Sequence, residues 1–340
     1  VASLLLPLTA SVLLAGCATP LPEALPETLL SGETMGSAWT VKIAGDLPLP
    51  AAELQSGAQA SFEAVNQALS TYRADSALSR FNASDSRDWV EVDPELAAVL
   101  RYALTLAERS GGAYDVTVGP LVNLWGFGPD PATNRVPDAA AIEAARALVG
   151  WRKLEVDPVR DRARKPPGMR IDLSSLGKGR GVDRVAEYLA AHGVANYLID
   201  LSGKLRARGR NARGQAWQVA VEQPAPDDPS GAPRTVPAVV ALHDTSIATA
   251  GDYRRFFESG GRHYSHIIDP RTGAPVDHAT LSASALAPTC MEADALATMF
   301  MVMDPEAALR VAESGHVPAL LVSRDGGGFR LRSSSSWPAQ

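Results

Sequence analysis

The sequence predicts an α+β protein, and three observations carry that reading. Stretches with apolar residues at helical spacing are mixed with stretches that alternate, or run apolar, as strands do. The two kinds do not follow one another in the strict order that parallel βαβ units require. The 340 residues are 46% hydrophobic and 21% charged, an ordinary globular composition on a chain long enough to bury a sizeable core.

In chain order, residues 38–45, "AWTVKIAG", alternate as a strand. Leu54, Ala58, Phe62, Val65 and Leu69 share one face of a helix over 51–70. A second helix runs over 93–110, with Pro94 in its first turn and Gly111-Gly112 as its stop. Asp138 and Gly150 bracket a third. "KLEVD" and "GMRIDLSSL" (168–176) read as strands, and "GVDRVAEYLAAHG" as an amphipathic helix closed by Gly193. "NYLIDLSG", "QAWQVAVEQP" and "TVPAVVALHD" are further strands, with a loop at "PAPDDPSGAP". The C-terminal part gives a strand at 281–287, helices at 291–302 and 305–314, and a strand at 317–322. Residues 333–340 read as a loose tail.

The first stretch, "VASLLLPLTASVLLAGCATP", is apolar from Leu4 to Ala15 and then meets small residues and a cysteine. Residues 1–16 read as part of a signal peptide without its charged n-region. Leu14-Ala15-Gly16-Cys17 looks like a bacterial lipobox, which makes Cys17 the expected lipidation site; a plain secretory signal is the alternative. The Pro- and Glu-rich residues 17–31 read as a tether, followed by one large domain over 32–332. The remaining cysteine, Cys290, reads as a small buried residue. A formal net charge of −6, with no long basic run, argues against nucleic acid as a partner.

Four segments are richer in glycine and polar residues than a plain connection needs. "GGAYDVTVGPLVNLWGFGP" (111–129) can bring backbone and aromatic faces close to a flat ligand, or be a structural loop. "IDLSSLGKGRGVDRVAEYL" (171–189) reads as a strand, a Gly177-Lys178-Gly179 junction and a helix, with amides and Lys178 available to a phosphate. Its spacing is not that of a Walker A motif. "TAGDYRRFFESGGRHYSHIIDPRTGAPV" (249–276) crowds His266 among Asp252, Arg255, His263, Tyr264 and Asp269. In "MEADALATMF" (291–300), Asp294 and Thr298 are four apart and share one helix face. Two oxygens there suit a hard cation such as Mg2+, although an ordinary surface Asp-Thr pair has the same spacing. No paired Cys or His has zinc-ligand spacing.

Taken together, these segments resemble the ApbE family of FAD:protein FMN transferases. The likeness runs from about Gly32 to about Val322. It is carried by "ETMGSAWTVKI", "LSTYRADSALSRFN", "GGAYDVTVGPLVNLWGFGP", "IDLSSLGKGRGVDR", "DYRRFFESGGRHYSHIIDPRTGAPV" and "EADALAT". The resemblance implies a single large T-fold-related domain with mixed or antiparallel sheets and packed helices. It implies Mg2+-dependent transfer of FMN from FAD to a Thr or Ser hydroxyl of a target flavoprotein, with release of AMP. A hydrolase giving free FMN and AMP, and a flavin-binding lipoprotein without turnover, remain alternatives. Expected targets are subunits of membrane redox complexes of the sodium-pumping NADH:quinone reductase type or related types. The expected location is the bacterial inner membrane, lipid-anchored and facing the periplasm.

By position, the resemblance implies FAD contacts at Met35, Tyr72, Ala113, Tyr114, Asp115, Asp172, Lys178 and Ile268. It implies Mg2+ ligation by Ser175, through its backbone carbonyl, and by Asp294 and Thr298, with His266 as the base. The chain departs from the family at several positions. Ser202 and Lys204 stand where Gly and Asp are usual, Ala250 where Ser is common, and Arg180 where Tyr is common. Ala297 replaces an acidic residue that some members carry. The Lys204 change alters the local charge, and Ala297 removes a candidate metal oxygen.

Overall fold

The computed structural model describes residues 24–130, 135–221, 238–252, 255–326 and 328–338. The expected signal segment, Cys17, the first part of the tether, the loop at 224–233 and residues 339–340 lie outside the described residues.

Eight strands among the described residues form the main sheet. They are β1 (Glu27–Thr34), β2 (Ser37–Ala44), β3 (Tyr197–Leu201), β4 (Lys204–Arg208), β5 (Ser246–Gly251), β6 (Thr280–Ala287), β7 (Ala319–Asp325) and β8 (Gly328–Ser333). Their order in the sheet is their order in the chain, and every neighbouring pair is antiparallel. The helices enter as excursions between strands. Helices α1 (Ala51–Leu69), α2 (Ala77–Ala83), α3 (Pro94–Arg109), α4 (Gly119–Leu124), α5 (Ala139–Ala147) and α6 (Ser174–Ala191) lie between β2 and β3. Helices α7 (Cys290–Val302) and α8 (Pro305–Ser314) join β6 to β7. The α+β class therefore stands.

Period-2 alternation gives the sheet two apolar faces. Trp39, Val41 and Ile43 of β2 and Tyr197, Ile199 and Leu201 of β3 pack with α1 and α6. Farther along the same face, Ala248, Ala283, Ala285 and Ala319 meet Ala293, Ala295 and Ala297 of α7. Small side chains on both elements let that helix lie close against the strands. The opposite face, through Ile247, Leu286, Leu320 and Leu198, is covered by the strand pair Trp217–Val221 and Ala238–Leu242. Helix α7 is thus enclosed by the sheet and α6, which is why it is apolar nearly all round.

Helix ends follow the sequence signals. The Asp93 side chain accepts from the amides of Glu95 and Leu96, with Pro94 in the first turn. Asp304-Pro305 does the same for α8. Thr289 and Glu292 form a reciprocal capping box at α7. The first amides of α7 have a further anchor: Asp183 of α6 accepts from Cys290 at 2.8 Å and Met291 at 2.9 Å, and pairs with Arg206. Cys290 is buried, as expected, and burial pushes its thiol pKa well up, so it is inert.

The structure corrects four expectations. The tether does not reach residue 31, because Glu27 already starts β1, joined to β2 by the Met35-Gly36 turn. Residues 168–176 are not one strand; Arg170 makes only an isolated bridge to Val118, and α6 begins at Ser174. Gly177-Lys178-Gly179 therefore lies inside a helix rather than at a phosphate-binding junction. The C-terminal segment is packed through Trp337: Ser334 is buried and bonds Ala319 and Val317, Ser335 bonds Glu313, and Trp337 packs on the core beneath the strand pair.

Candidate active site

A cavity of about 700 Å³ opens between the helical face of the sheet and the loops that cover it. Its wall contains every described site residue expected from the sequence: Met35, Tyr72, Ala113, Tyr114, Asp115, Asp172, Ser175, Lys178, His266, Ile268, Asp294 and Thr298.

Several parts of the chain converge there. The β1–β2 turn brings Met35 and Gly36, both with positive φ, in the geometry a two-residue hairpin favours. Met35 has a side chain in this left-handed region, a strained choice that holds it over the cavity. The loop after α3 presents Ala113 and Tyr114. The start of α6 brings Asp172, Ser175 and Lys178. Helix α7 brings Asp294 and Thr298 from beneath.

Asp294 is 2% exposed. Its Oδ2 accepts the amide of Gly179 at 3.1 Å, and its Oδ1 lies 3.1 Å from Lys204 Nζ. Burial raises the carboxyl pKa, with the Lys204 ammonium pulling it back. The Gly179 contact explains the glycine in mid-helix: a Cβ there would sit 2.4 Å from the Cys290 carbonyl oxygen and 2.8 Å from Met291 Cα. Only glycine lets α6 and α7 approach this closely. Thr298 Oγ1 donates to the Asp294 carbonyl at 3.1 Å, which leaves the oxygen lone pairs for the cavity. Ser175 Oγ shares a 2.8 Å hydrogen bond with the buried Tyr114 hydroxyl.

This donor set suits a small hard cation: one carboxylate, one hydroxyl with lone pairs available, and Ser175 beside them on the wall. Among the described residues no three His, Cys, Asp or Glu side chains cluster as a metal cage. A cation at Asp294 would therefore complete its shell with water and substrate oxygens, as Mg2+ does.

His266 is half-buried. Its Nδ1 lies 3.0 Å from the Arg255 carbonyl, which can only accept, so Nδ1 carries the proton and Nε2 keeps its lone pair. Desolvation, opposed by that hydrogen bond and reinforced by the Arg255 and Lys204 charges, lowers its pKa to about 4. The ring is neutral at pH 7.

Lys178 donates to Ser37 Oγ at 2.8 Å. Asp172 accepts from the Ser174 amide at 2.7 Å and so orders the entry to α6. Asp115 lines the cavity, but its carboxylate bonds Thr117 and the Trp151 amide; it holds the loop that presents Ala113 and Tyr114. In the aromatic segment, Phe127 reaches the cavity. Trp125 stacks behind it with Phe257 and Tyr264 and donates to the Gly273 carbonyl. Ile268 belongs to this cluster. Tyr72, 60% exposed, stands at the rim with its hydroxyl 3.3 Å from an Arg255 nitrogen. Arg180, at a position of departure, faces away and ties α6 to α3 through Glu95.

Sequence reading placed Arg255 in the crowd around His266 and Phe127 in the aromatic segment, but assigned neither a contact, and it did not single out Thr249 on this wall. It also did not foresee that Lys204 pairs with Asp294, although the charge change at Lys204 was the visible signal.

The family model for the "ApbE family" matches residues 35–321. A FAD:protein FMN transferase of Vibrio cholerae is 40% identical over 334 residues, covering 98% of this chain and 97% of that protein. One from Haemophilus influenzae is 39% identical over 314 residues, with 91% and 90% covered. Among solved structures, the flavin transferase ApbE from Vibrio cholerae superposes with a TM-score of 0.84 at 38% identity, covering 92% of this chain and 98% of that one. The apo flavinyl transferase ApbE of Pseudomonas stutzeri gives 0.82 at 36% identity, with 92% and 96% covered.

Proposed function

The chain belongs to the ApbE family and is an FAD:protein FMN transferase; from that premise we propose how this cavity carries out the transfer and where the protein acts. The observation that carries the reading is the convergence of His266, Asp294, Thr298, Ser175 and Lys178, from distant parts of the chain, on one cavity.

FAD lies in the cavity with its diphosphate toward Asp294, Thr298 and Ser175. Tyr114, Phe127 and Ile268 supply apolar and aromatic surface for the flat rings. Lys178 adds positive charge opposite the phosphates. A Thr or Ser hydroxyl of the acceptor protein approaches His266. Nε2 takes the hydroxyl proton as the oxygen bonds to the FMN phosphorus, the bond from that phosphorus to the bridging oxygen breaks, and AMP leaves. A positioned base of this kind is worth roughly 10²–10⁴-fold. Mg2+ held by Asp294, Thr298 and Ser175 would neutralise phosphate charge and stabilise the departing oxygen. Buried donors and acceptors fixed by α6 and α7 need little rearrangement at the moment of reaction.

The acceptors are flavoprotein subunits of membrane redox complexes, of the sodium-pumping NADH:quinone reductase type or a related type. The lipobox sequence supports acylation of Cys17 and anchoring at the inner membrane, with this domain in the periplasm. Among the described residues no helix is long and apolar enough to cross a membrane.

The test is to incubate the protein with FAD, Mg2+ and a purified acceptor domain and to weigh the acceptor by mass spectrometry. An FMN-sized increment on a Thr or Ser is expected. Free FMN and AMP without an adduct would instead assign a hydrolase.

A further inference from the structure

Lys204 is the first residue of β4 and follows the Ser202-Gly203 turn, in which both residues have positive φ. The turn is closed by the Gly203 amide on Asp200 Oδ1 at 2.9 Å. It fixes where the Lys204 side chain starts, paired across the sheet with Ala248. The side chain is 12% exposed and lines the cavity. Its Nζ donates to the Thr249 carbonyl at 2.6 Å and lies 3.1 Å from Asp294 Oδ1. An ammonium has three donors, and these two partners account for two of them.

A full positive charge therefore stands on the same carboxylate that a divalent cation would use. Within a few ångströms the two repel strongly in a site of low dielectric. The same charge faces the space where a diphosphate would lie and reaches His266, whose pKa it helps to lower.

We propose that Lys204 is a resident cation of the cavity, competing with divalent metal for Asp294 and itself countering the dinucleotide's diphosphate. The inference rests on the cavity being the FAD site. It makes Lys204 a substrate-binding residue. It also makes FAD binding less dependent on metal than an all-acidic site would be.

The experiment uses the whole protein and two variants, Lys204→Met and Lys204→Arg. Mn2+ alone, without FAD, is titrated and free Mn2+ is read by electron paramagnetic resonance. Lys204→Met should bind Mn2+ about tenfold or more tightly than wild type, because the competing charge is gone. FAD binding is then measured by calorimetry in EDTA. Wild type and Lys204→Arg should bind; Lys204→Met should lose about tenfold or more in affinity. Circular dichroism and thermal melts confirm that each variant is folded. If Lys204→Met does not fold, Lys204→Gln, which also removes the charge, is read in the same two titrations against the same outcomes. Unchanged or weaker Mn2+ binding in Lys204→Met, or undiminished FAD binding in EDTA, overturns the role of Lys204. Failure of every protein to bind FAD, with Mg2+ as well as without, overturns the reading of the cavity itself.

Discussion

The imidazole of His266 donates through Nδ1 to the backbone carbonyl of Arg255 across 3.0 Å. That bond fixes the tautomer and turns Nε2 into the acceptor. The ring's displacement from water, not a charged partner, sets its proton affinity, and a pKa of about 4 keeps it neutral through the physiological range.

The acid limb of kcat/KM should accordingly fall with a midpoint near pH 4, not near the ordinary imidazole value. The same shift acts on stability. Between about pH 6.5 and 4 the unfolded chain protonates this imidazole while the folded one does not, so its contribution erodes as pH falls through that window. His266→Ala should lower kcat by roughly 10²–10⁴-fold and abolish that limb. Rate profiles of the two proteins over pH 3.5–8 check this; a profile that His266→Ala leaves in place removes the residue from proton transfer.

Asp294→Asn keeps the size of the side chain and removes its charge. Transfer should fall by about a hundredfold or more, since a carboxylate-held metal supplies several kcal/mol of charge stabilisation. Adding Mg2+ should not restore it. Steady-state rates against Mg2+ concentration read the outcome, and a rate that saturates at the wild-type value would remove Asp294 from metal binding.

Gly179→Ala places a methyl group against the Cys290 carbonyl and Met291 Cα. The helices must part, at about 1–3 kcal/mol. The Gly179 amide that supports Asp294 moves with them, so stability and activity should fall together. Urea denaturation and transfer assays on one preparation test the coupling.

Asp183→Asn leaves Arg206 without its charge partner and weakens two amide bonds at the start of α7. A loss of about 1–3 kcal/mol is expected, because Asp183 is buried but the Arg206 charge left behind keeps partial access to water. The melting temperature should drop, whereas Arg206→Met with Asp183→Asn should recover part of it. Four-variant denaturation cycles give the coupling directly.

Tyr72→Ala should raise KM for FAD while changing stability by less than about 0.5 kcal/mol, because the ring is mostly exposed at the rim and touches little besides Arg255. A matched comparison of KM and melting temperature separates the two effects.

Local signals set the helices and the relative placement of neighbouring side chains, while the site roles came from the family resemblance. The four-residue step from Asp294 to Thr298 puts both on one helix face whatever surrounds them. Asp93-Pro94, Asp304-Pro305 and the Thr289–Glu292 pair announce helix starts through bonds that close within one turn. Other features were read wrongly for the complementary reason. Residues 27–31 look like part of a tether by composition, yet they pair with β2 once the Met35-Gly36 turn forms. The serine-rich C-terminal segment is polar by sequence, yet Ser334 completes hydrogen bonds to Ala319 and Val317. Gly177 and Gly179 look like helix breakers, yet Gly179 is where two helices touch.

The sequence by itself determined the α+β class and most helices and their caps, because helical spacing, strand alternation and capping act over a few residues; the polar residues it placed on the cavity wall, such as Asp294, Thr298 and His266, came from the family resemblance. Tertiary structure alone decided that Lys204 meets Asp294, that Arg255 orients His266, and that α7 lies enclosed between sheet and α6. Those partners are far apart along the chain, and no short-range preference sets a distance between them. Packing of the alanine-lined strands against α7, and of α7 against Gly179, brings their charges together.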